Sequence, residues 1–177
     1  MSDLNEFNKN GFIIKRKLFS NDEINKLINF INSNSDKENK SRKTKSSTGN
    51  LNLTIWNDPT DDLFGKFSTN ERIVKPMEIF LGDEVYHYHS KIIWKKPGDG
   101  GFDWHQDYGY WYENGLLYPD MASVMLAIDK ATPENGCLQI IPGSHLFGRV
   151  EHQLTGEQAG ANMERVNEIL KKHEVKH

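Results

Sequence analysis

Cysteine is almost missing from this chain: Cys137 is the only one in 177 residues. No disulfide framework and no cysteine-ligated zinc site can be built from one thiol. Long apolar runs are missing too. None approaches the roughly 18 residues that a membrane span requires. The opening MSDLNEFNKNGF has no basic-then-apolar leader pattern. These absences lead us to expect a cytoplasmic protein with no membrane partner. An excess of positive charge is also lacking. Lys and Arg number 22 against 25 Asp and Glu, a net charge of −3, so nothing draws the whole chain toward nucleic acid. From Ser33 to Asn50 there is no apolar side chain at all, and the expectation there is a flexible loop. Its stretch Asp36 to Lys45 holds five basic and two acidic residues. Without interleaved aromatics it reads as a solvated surface rather than a nucleic-acid contact.

What is present suffices for one domain with a real core: 36% of residues are apolar and 27% charged. Phe12, Ile13 and Ile14 read as a short strand. Ser20 with Glu23 three residues on forms a capping box. Behind it Ile24, Leu27, Ile28 and Ile31 recur at helical spacing. Leu51, Leu53 and Ile55 alternate as in a strand. Ile73, Val74, Met77, Phe80 and Leu81 predict a helix over 70–81, with Pro76 inside it and Gly82 as its cap.

Beyond Gly82 the pattern turns to strands. Val85–Lys96, Phe102–Trp111, Ala122–Asp129 and Cys137–Ile141 are each rich in aromatic and apolar residues, with turns at 97–101 and 132–136 between them. Gly98, Gly100 and Gly101 lack the Lys-Ser/Thr of a phosphate loop and read as a wide turn. An amphipathic helix over 157–172, with Val166, Ile169 and Leu170 inward, closes the chain. Helices first and antiparallel strands after give an α+β fold whose β part is a sandwich or jelly roll.

The chemistry concentrates in Trp104-His105-Gln106-Asp107. On a strand, residues i and i+2 share a face. His105 and Asp107 would then offer an imidazole nitrogen and a carboxylate oxygen side by side. Two His and one carboxylate on one octahedral face form the site of non-haem Fe(II) oxygenases, with open positions left for reactants. A bare His-x-Asp pair occurs often by chance, so its context decides. Gln106 points to the other face, where it either fixes a neighbouring loop or lies exposed.

That context is HSKIIWKKPGDGGFDWHQDYGYW followed by ASVMLAIDKATPENGCLQIIPGSH. The order of a Ser-Lys strand, a Pro/Gly turn, Trp-His-x-Asp, an Asn-Gly turn and Pro-Gly-Ser-His resembles the phytanoyl-CoA dioxygenase family. The resemblance implies a double-stranded β-helix of the cupin-like, jelly-roll kind with N-terminal helices. It implies Fe(II) as cofactor, 2-oxoglutarate as cosubstrate, O2, and hydroxylation of a small organic substrate. His105 and Asp107 would be metal ligands. Lys91 would approach 2-oxoglutarate if it points inward, and is a plain surface lysine if it points out. Met125, facing inward by strand alternation, would line the cosubstrate or simply pack in the core. Tyr108 and Trp111, with the neighbouring tyrosines, would wall a substrate pocket or serve the packing of the sandwich.

The same resemblance implies a third ligand, a His on a late strand, and then an Arg that binds the far carboxylate of 2-oxoglutarate. His145, His152, His173 and His177 do not fall where that ligand belongs. The expectation is therefore an oxygenase domain that lacks its last strands, inactive as this chain. The alternatives are a non-catalytic jelly-roll binding module or pseudoenzyme, and a cupin-like metalloenzyme with another His set.

Overall fold

Local capping starts each N-terminal helix. The computed structural model describes residues 2–34, 41–155 and 157–177. Helix α1 (Asp3–Asn10) begins where the Ser2 hydroxyl accepts the Asn5 N–H, and ends at Gly11, whose φ of 79° suits a residue without Cβ. The stretch from Phe12 to Ile14 joins no strand, which corrects the short strand expected there. Helix α2 (Asn21–Ser33) carries the capping box: Glu23 N–H donates to Ser20 Oγ, and Ser20 N–H donates to Glu23 Oε2 at 2.8 Å. Leu27 is its buried residue, 3% exposed.

Arg72 adds a second anchor to that box by donating to both Glu23 oxygens. The Arg72 hydrogen bond, with help from the Ser20 N–H, holds the Glu23 carboxyl well below the usual carboxylate range, at about 2. A depressed folded value means that the unfolded chain takes up the proton first. The stabilisation is therefore complete above the ordinary glutamate value and is lost as pH falls from there through about 2. An NMR titration of the Glu23 side chain is expected to show that midpoint, and Ser20→Ala is expected to cost about 1 kcal/mol in urea unfolding.

Helix α3 (Leu63–Ser68) is capped by Asp62, whose carboxylate accepts the Phe64 and Gly65 N–H groups. Helix α4 (Glu71–Leu81) runs between Asn70 and Gly82, as the sequence predicts, and carries Pro76 inside. Phe64 packs between Phe30 and Trp56. Phe7 of α1 stacks on Phe80 of α4 at 4.5 Å. The buried apolar side chains Phe19, Leu27, Leu51, Leu53 and Phe64 place the main core between these helices and the first sheet.

That sheet is antiparallel in the order β1 (Arg42–Ser46), β2 (Gly49–Trp56), β3 (Ser90–Trp94). β1 and β2 form a hairpin with Arg42 opposite Leu53 and Ser46 opposite Gly49. The loop expected over 33–50 is thus corrected from Arg42 onward, while residues 35–40 lie outside the described residues. Polar side chains at alternate positions do not prevent a ladder whose other face is covered: Thr44, Leu51 and Leu53 are buried, and Arg42, Lys43 and Lys45 are exposed on the outer strand. Ile55, expected on the same inner face, is 51% exposed. Only Ser90–Trp94 of the long strand expected over 85–96 pairs, with Asn52 opposite Trp94.

The second sheet is the antiparallel pair β4 (His152–Thr155) and β5 (Gln158–Ala161). It leads into a helix over Met163–Leu170 whose Val166 is buried, shorter than the helix expected over 157–172. The two sheets touch where the Glu157 N–H donates to the Lys45 carbonyl at 3.1 Å and the Lys45 N–H returns a bond to the Glu157 carboxylate.

The double-stranded β-helix expected from the sequence is not what the chain forms. Among the described residues there are one three-stranded and one two-stranded sheet, and they do not close into a barrel. Closure requires every strand to find ladder partners on both sides. The segment 122–129 pairs with nothing as a strand, and its Val124 and Met125 are 47% and 57% exposed. Over Cys137–Ile141 a single bridge forms, between Ile140 and Lys176. Apolar patterning alone does not make a strand when no second edge lies beside it. No helix among the described residues is long and apolar enough to cross a membrane.

Candidate functional site

The turn over 97–101 is held on the tip of the β1–β2 hairpin. The Gly100 N–H donates to the Asn50 carbonyl at 2.9 Å and the Gly101 N–H to Thr48 Oγ1 at 2.8 Å. A Cβ on Gly100 would lie 2.8 Å from the Gly49 backbone, so the close approach requires glycine. Next, the Asp103 carboxylate accepts from the Ser47 N–H and hydroxyl. The segment that follows therefore leaves the hairpin from a fixed point.

His105 follows in backbone that belongs to no helix or strand, and Asp107 is the first residue of a short helix, α5 (Asp107–Tyr112). The strand expected over 102–111 is corrected: the chain turns into a helix immediately after Gln106. The two side chains still converge. His105 Nε2 lies 3.5 Å from Asp107 Oδ1, with the side chains 33% and 43% exposed. His105 Nδ1 lies 2.8 Å from the Asp103 carbonyl oxygen. A carbonyl only accepts, so Nδ1 carries a proton, and Nε2 is the ring nitrogen that faces Asp107. Asp107 Oδ2 accepts from the Ser123 hydroxyl at 2.7 Å, which leaves Oδ1 facing the imidazole.

A second layer stitches this segment to β4 and β5. The Gln106 N–H donates to His152 Nε2 at 3.1 Å, and His152 Nδ1 donates to the Val150 carbonyl at 2.8 Å. Both ring nitrogens of His152 are thereby engaged. The Gln106 side chain accepts the Val150 N–H and donates to the Gly148 carbonyl, each at 2.9 Å. The Ala161 N–H donates to the Trp104 carbonyl at 2.7 Å. Gly109 of α5 is buried against the Val150 carbonyl and the His152 ring. Burial lowers the pKa of His152, helped by His105 and Arg149 and opposed by the Val150 carbonyl and Asp107. Burial likewise lowers that of His89, aided by Lys91 and His87.

Aromatic side chains gather on the far side of α5. Trp111 meets Tyr88 at 5.0 Å, Tyr110 at 4.8 Å and His89 at 5.3 Å, the first two edge to face. Tyr108 instead sends its hydroxyl to the Leu117 carbonyl and lies edge-on to Tyr112. Lys91 is exposed on β3. Its ammonium sits 4.8 Å from the centre of the Phe102 ring, and Phe102 in turn flanks His105 at 5.9 Å. Met125 points into solvent rather than inward, because the segment that carries it forms no strand to alternate along.

An imidazole nitrogen and a carboxylate oxygen this close fit two adjacent positions on an octahedral metal. Donors at about 2.1 Å and a right angle lie about 3 Å apart. The family model for phytanoyl-CoA dioxygenase (PhyH) matches residues 7–176. The chain belongs to this family. The L-proline trans-4-hydroxylase of Streptomyces griseoviridis is 36% identical over 93 residues, covering 51% of this chain and 35% of the relative. The ectoine dioxygenase of Streptomyces anulatus is 31% identical over 153 residues, covering 81% and 50%. The enzyme of that name from Streptomyces avermitilis is 28% identical over 151 residues, covering 81% and 51%. The chain thus spans about half the length, or less, of these relatives.

Among the described residues no three His, Cys, Asp or Glu side chains come together as a metal group. His145 reaches the Asn8 carbonyl on α1, His173 lies tilted against Phe147, and His177 lies beside Gln139. His89 and His152 both stand near enough to feel the Asp107 charge, and both nitrogens of His152 are spent on backbone groups. Nothing in the sequence marks Ser123 and His152 as neighbours of the pair. They lie 16 and 45 residues beyond Asp107, and folding alone brings them there.

Proposed function

We propose that this chain, taken by itself, is a non-catalytic binding module of the phytanoyl-CoA dioxygenase family. It holds a divalent metal ion weakly through His105 Nε2 and Asp107 Oδ1. The observation that carries this reading is their 3.5 Å approach with no third donor beside them among the described residues. Two half-exposed donors leave most of the ion's coordination to water, and Fe(II) stands low in the affinity order for such ligands.

The chemistry behind the module is that of Fe(II), 2-oxoglutarate-dependent hydroxylation of a small organic substrate, in which bound iron activates O2. In that setting His105 and Asp107 would hold the iron, with the Asp103 carbonyl fixing the imidazole tautomer and Ser123 fixing the carboxylate. Lys91 would offer a positive charge to the oxo acid from beside Phe102. Trp111 and Tyr108 would border the substrate, and Met125 would come to line the cosubstrate only if the segment around it were covered. The whole chain acts as one domain in this reading.

Titration with Co(II) as the probe tests it. Wild-type chain is expected to bind Co(II), and His105→Ala or Asp107→Ala to weaken that binding by more than the roughly tenfold typical of losing an outer partner. Equal affinity in wild type and both variants would remove the metal reading.

A further inference from the structure

We propose that Gln106 and His152 are positioning residues: together they form a clamp that turns His105 and Asp107 toward one point. The inference rests on reading that pair as metal ligands, and it assigns roles to two residues that are not themselves ligands. The need for a clamp follows from the backbone. His105 lies in no helix or strand and Asp107 opens a helix of six residues, so no strand pleat sets their common direction. What fixes it is the peptide between them. The Gln106 N–H is held by His152 Nε2 on one side, while the Gln106 side chain grips the Gly148 carbonyl and the Val150 N–H on the other. His152 is itself fixed through Nδ1 to the Val150 carbonyl. One short stretch, 148–152, thus shares three hydrogen bonds with a single residue.

The direction of each bond is dictated by chemistry. A peptide N–H can only donate, so His152 Nε2 must be unprotonated. A carbonyl can only accept, so the Gln106 amide has one possible orientation, NH2 toward Gly148 and oxygen toward Val150. The Gln106 φ of −114° and ψ of 124° are extended. Release of its N–H would free the rotation that separates the imidazole from the carboxylate. The main core around Leu27, Leu51 and Phe64 lies elsewhere, so the clamp can be broken without emptying it.

The experiment uses the 177-residue chain, with NMR and a Co(II) titration as separate readouts. Gln106→Ala removes the side-chain grip, His152→Phe removes the acceptor while keeping a ring, and His152→Gln restores an acceptor. Wild type is expected to show an NOE between the His105 ring and the Asp107 β protons without any metal. The Ala and Phe variants should lose it and bind Co(II) about tenfold more weakly or worse, and His152→Gln should recover both. Circular dichroism confirms that each variant is folded; if His152→Phe is not, Gln106→Ala carries the test. An unchanged NOE, or Co(II) affinity within about twofold of wild type, in folded Gln106→Ala overturns the clamp. If wild type itself takes up no Co(II), the metal reading fails, and the NOE still decides the clamp.

Discussion

The 177-residue chain is expected to release no succinate from 2-oxoglutarate and Fe(II) beyond the rate of free iron. Two protein donors at His105 and Asp107 would neither hold an ion firmly nor close off its coordination sphere. The far carboxylate of the oxo acid would meet at most the exposed ammonium of Lys91, a point charge already resting on Phe102. A bidentate arginine there would contribute about 1.5–3 kcal/mol through charge-assisted bonds. Fusing the part of the Streptomyces anulatus ectoine dioxygenase that follows its matched region is expected to restore turnover by about a thousandfold or more. His105→Ala in the fusion should return it to background. Succinate formed by the 177-residue chain at enzyme-like rates would overturn the non-catalytic reading. Alanine replacement of His89 and His152 in turn would then show which imidazole completes the site.

Gly109→Ala is expected to destabilise the chain by about 1–3 kcal/mol, as overpacking does. Alanine is ordinarily favoured over glycine inside a helix by about 0.5–1 kcal/mol, so the sign depends on what the new methyl would meet. At Gly109 it would overlap the Val150 carbonyl oxygen and the His152 ring. The first is backbone, and the second is fixed at both nitrogens, so neither yields cheaply. Relief requires α5 and β4 to part, which stretches the bond from the Gln106 N–H to His152. Urea unfolding should show the loss, and amide exchange at Gln106 should quicken beyond what the change in global stability accounts for. A variant as stable as wild type, with unchanged exchange, would mean that the contact between helix and strand is loose enough to absorb a methyl group.

Several features are legible in the amino-acid order because they depend only on near neighbours along the chain. The Ser20–Glu23 capping box, the Asn70–Gly82 bounds of α4 and the turn at 132–136 all form where the sequence places them. Each is decided within four residues by hydrogen bonds the chain makes with itself. The strands are harder. Residues 42–46 have no apolar side chain, yet they pair with Gly49–Leu53, because the backbone ladder and one buried Thr44 suffice when β2 lies alongside. Residues 122–129 have a strand's composition and form none, because no edge reaches them.

Family membership and the identity of the residue pair were thus determined by the sequence alone, since His105, Asp107 and the motifs around them are a matter of residue type and order. The direction of the pair was not. Strand alternation predicts it, yet the backbone at Asp107 is helical. The side chains meet at 3.5 Å because Ser47 anchors Asp103, Asp103 orients His105, Ser123 holds Asp107, and His152 and Val150 hold Gln106 between them. Contacts between residues tens of positions apart leave no periodic trace in a sequence, because each needs only one donor and one acceptor brought together by the fold. The open arrangement of the two sheets was decided the same way: apolar alternation proposes a strand, and only a partner edge in space makes it one.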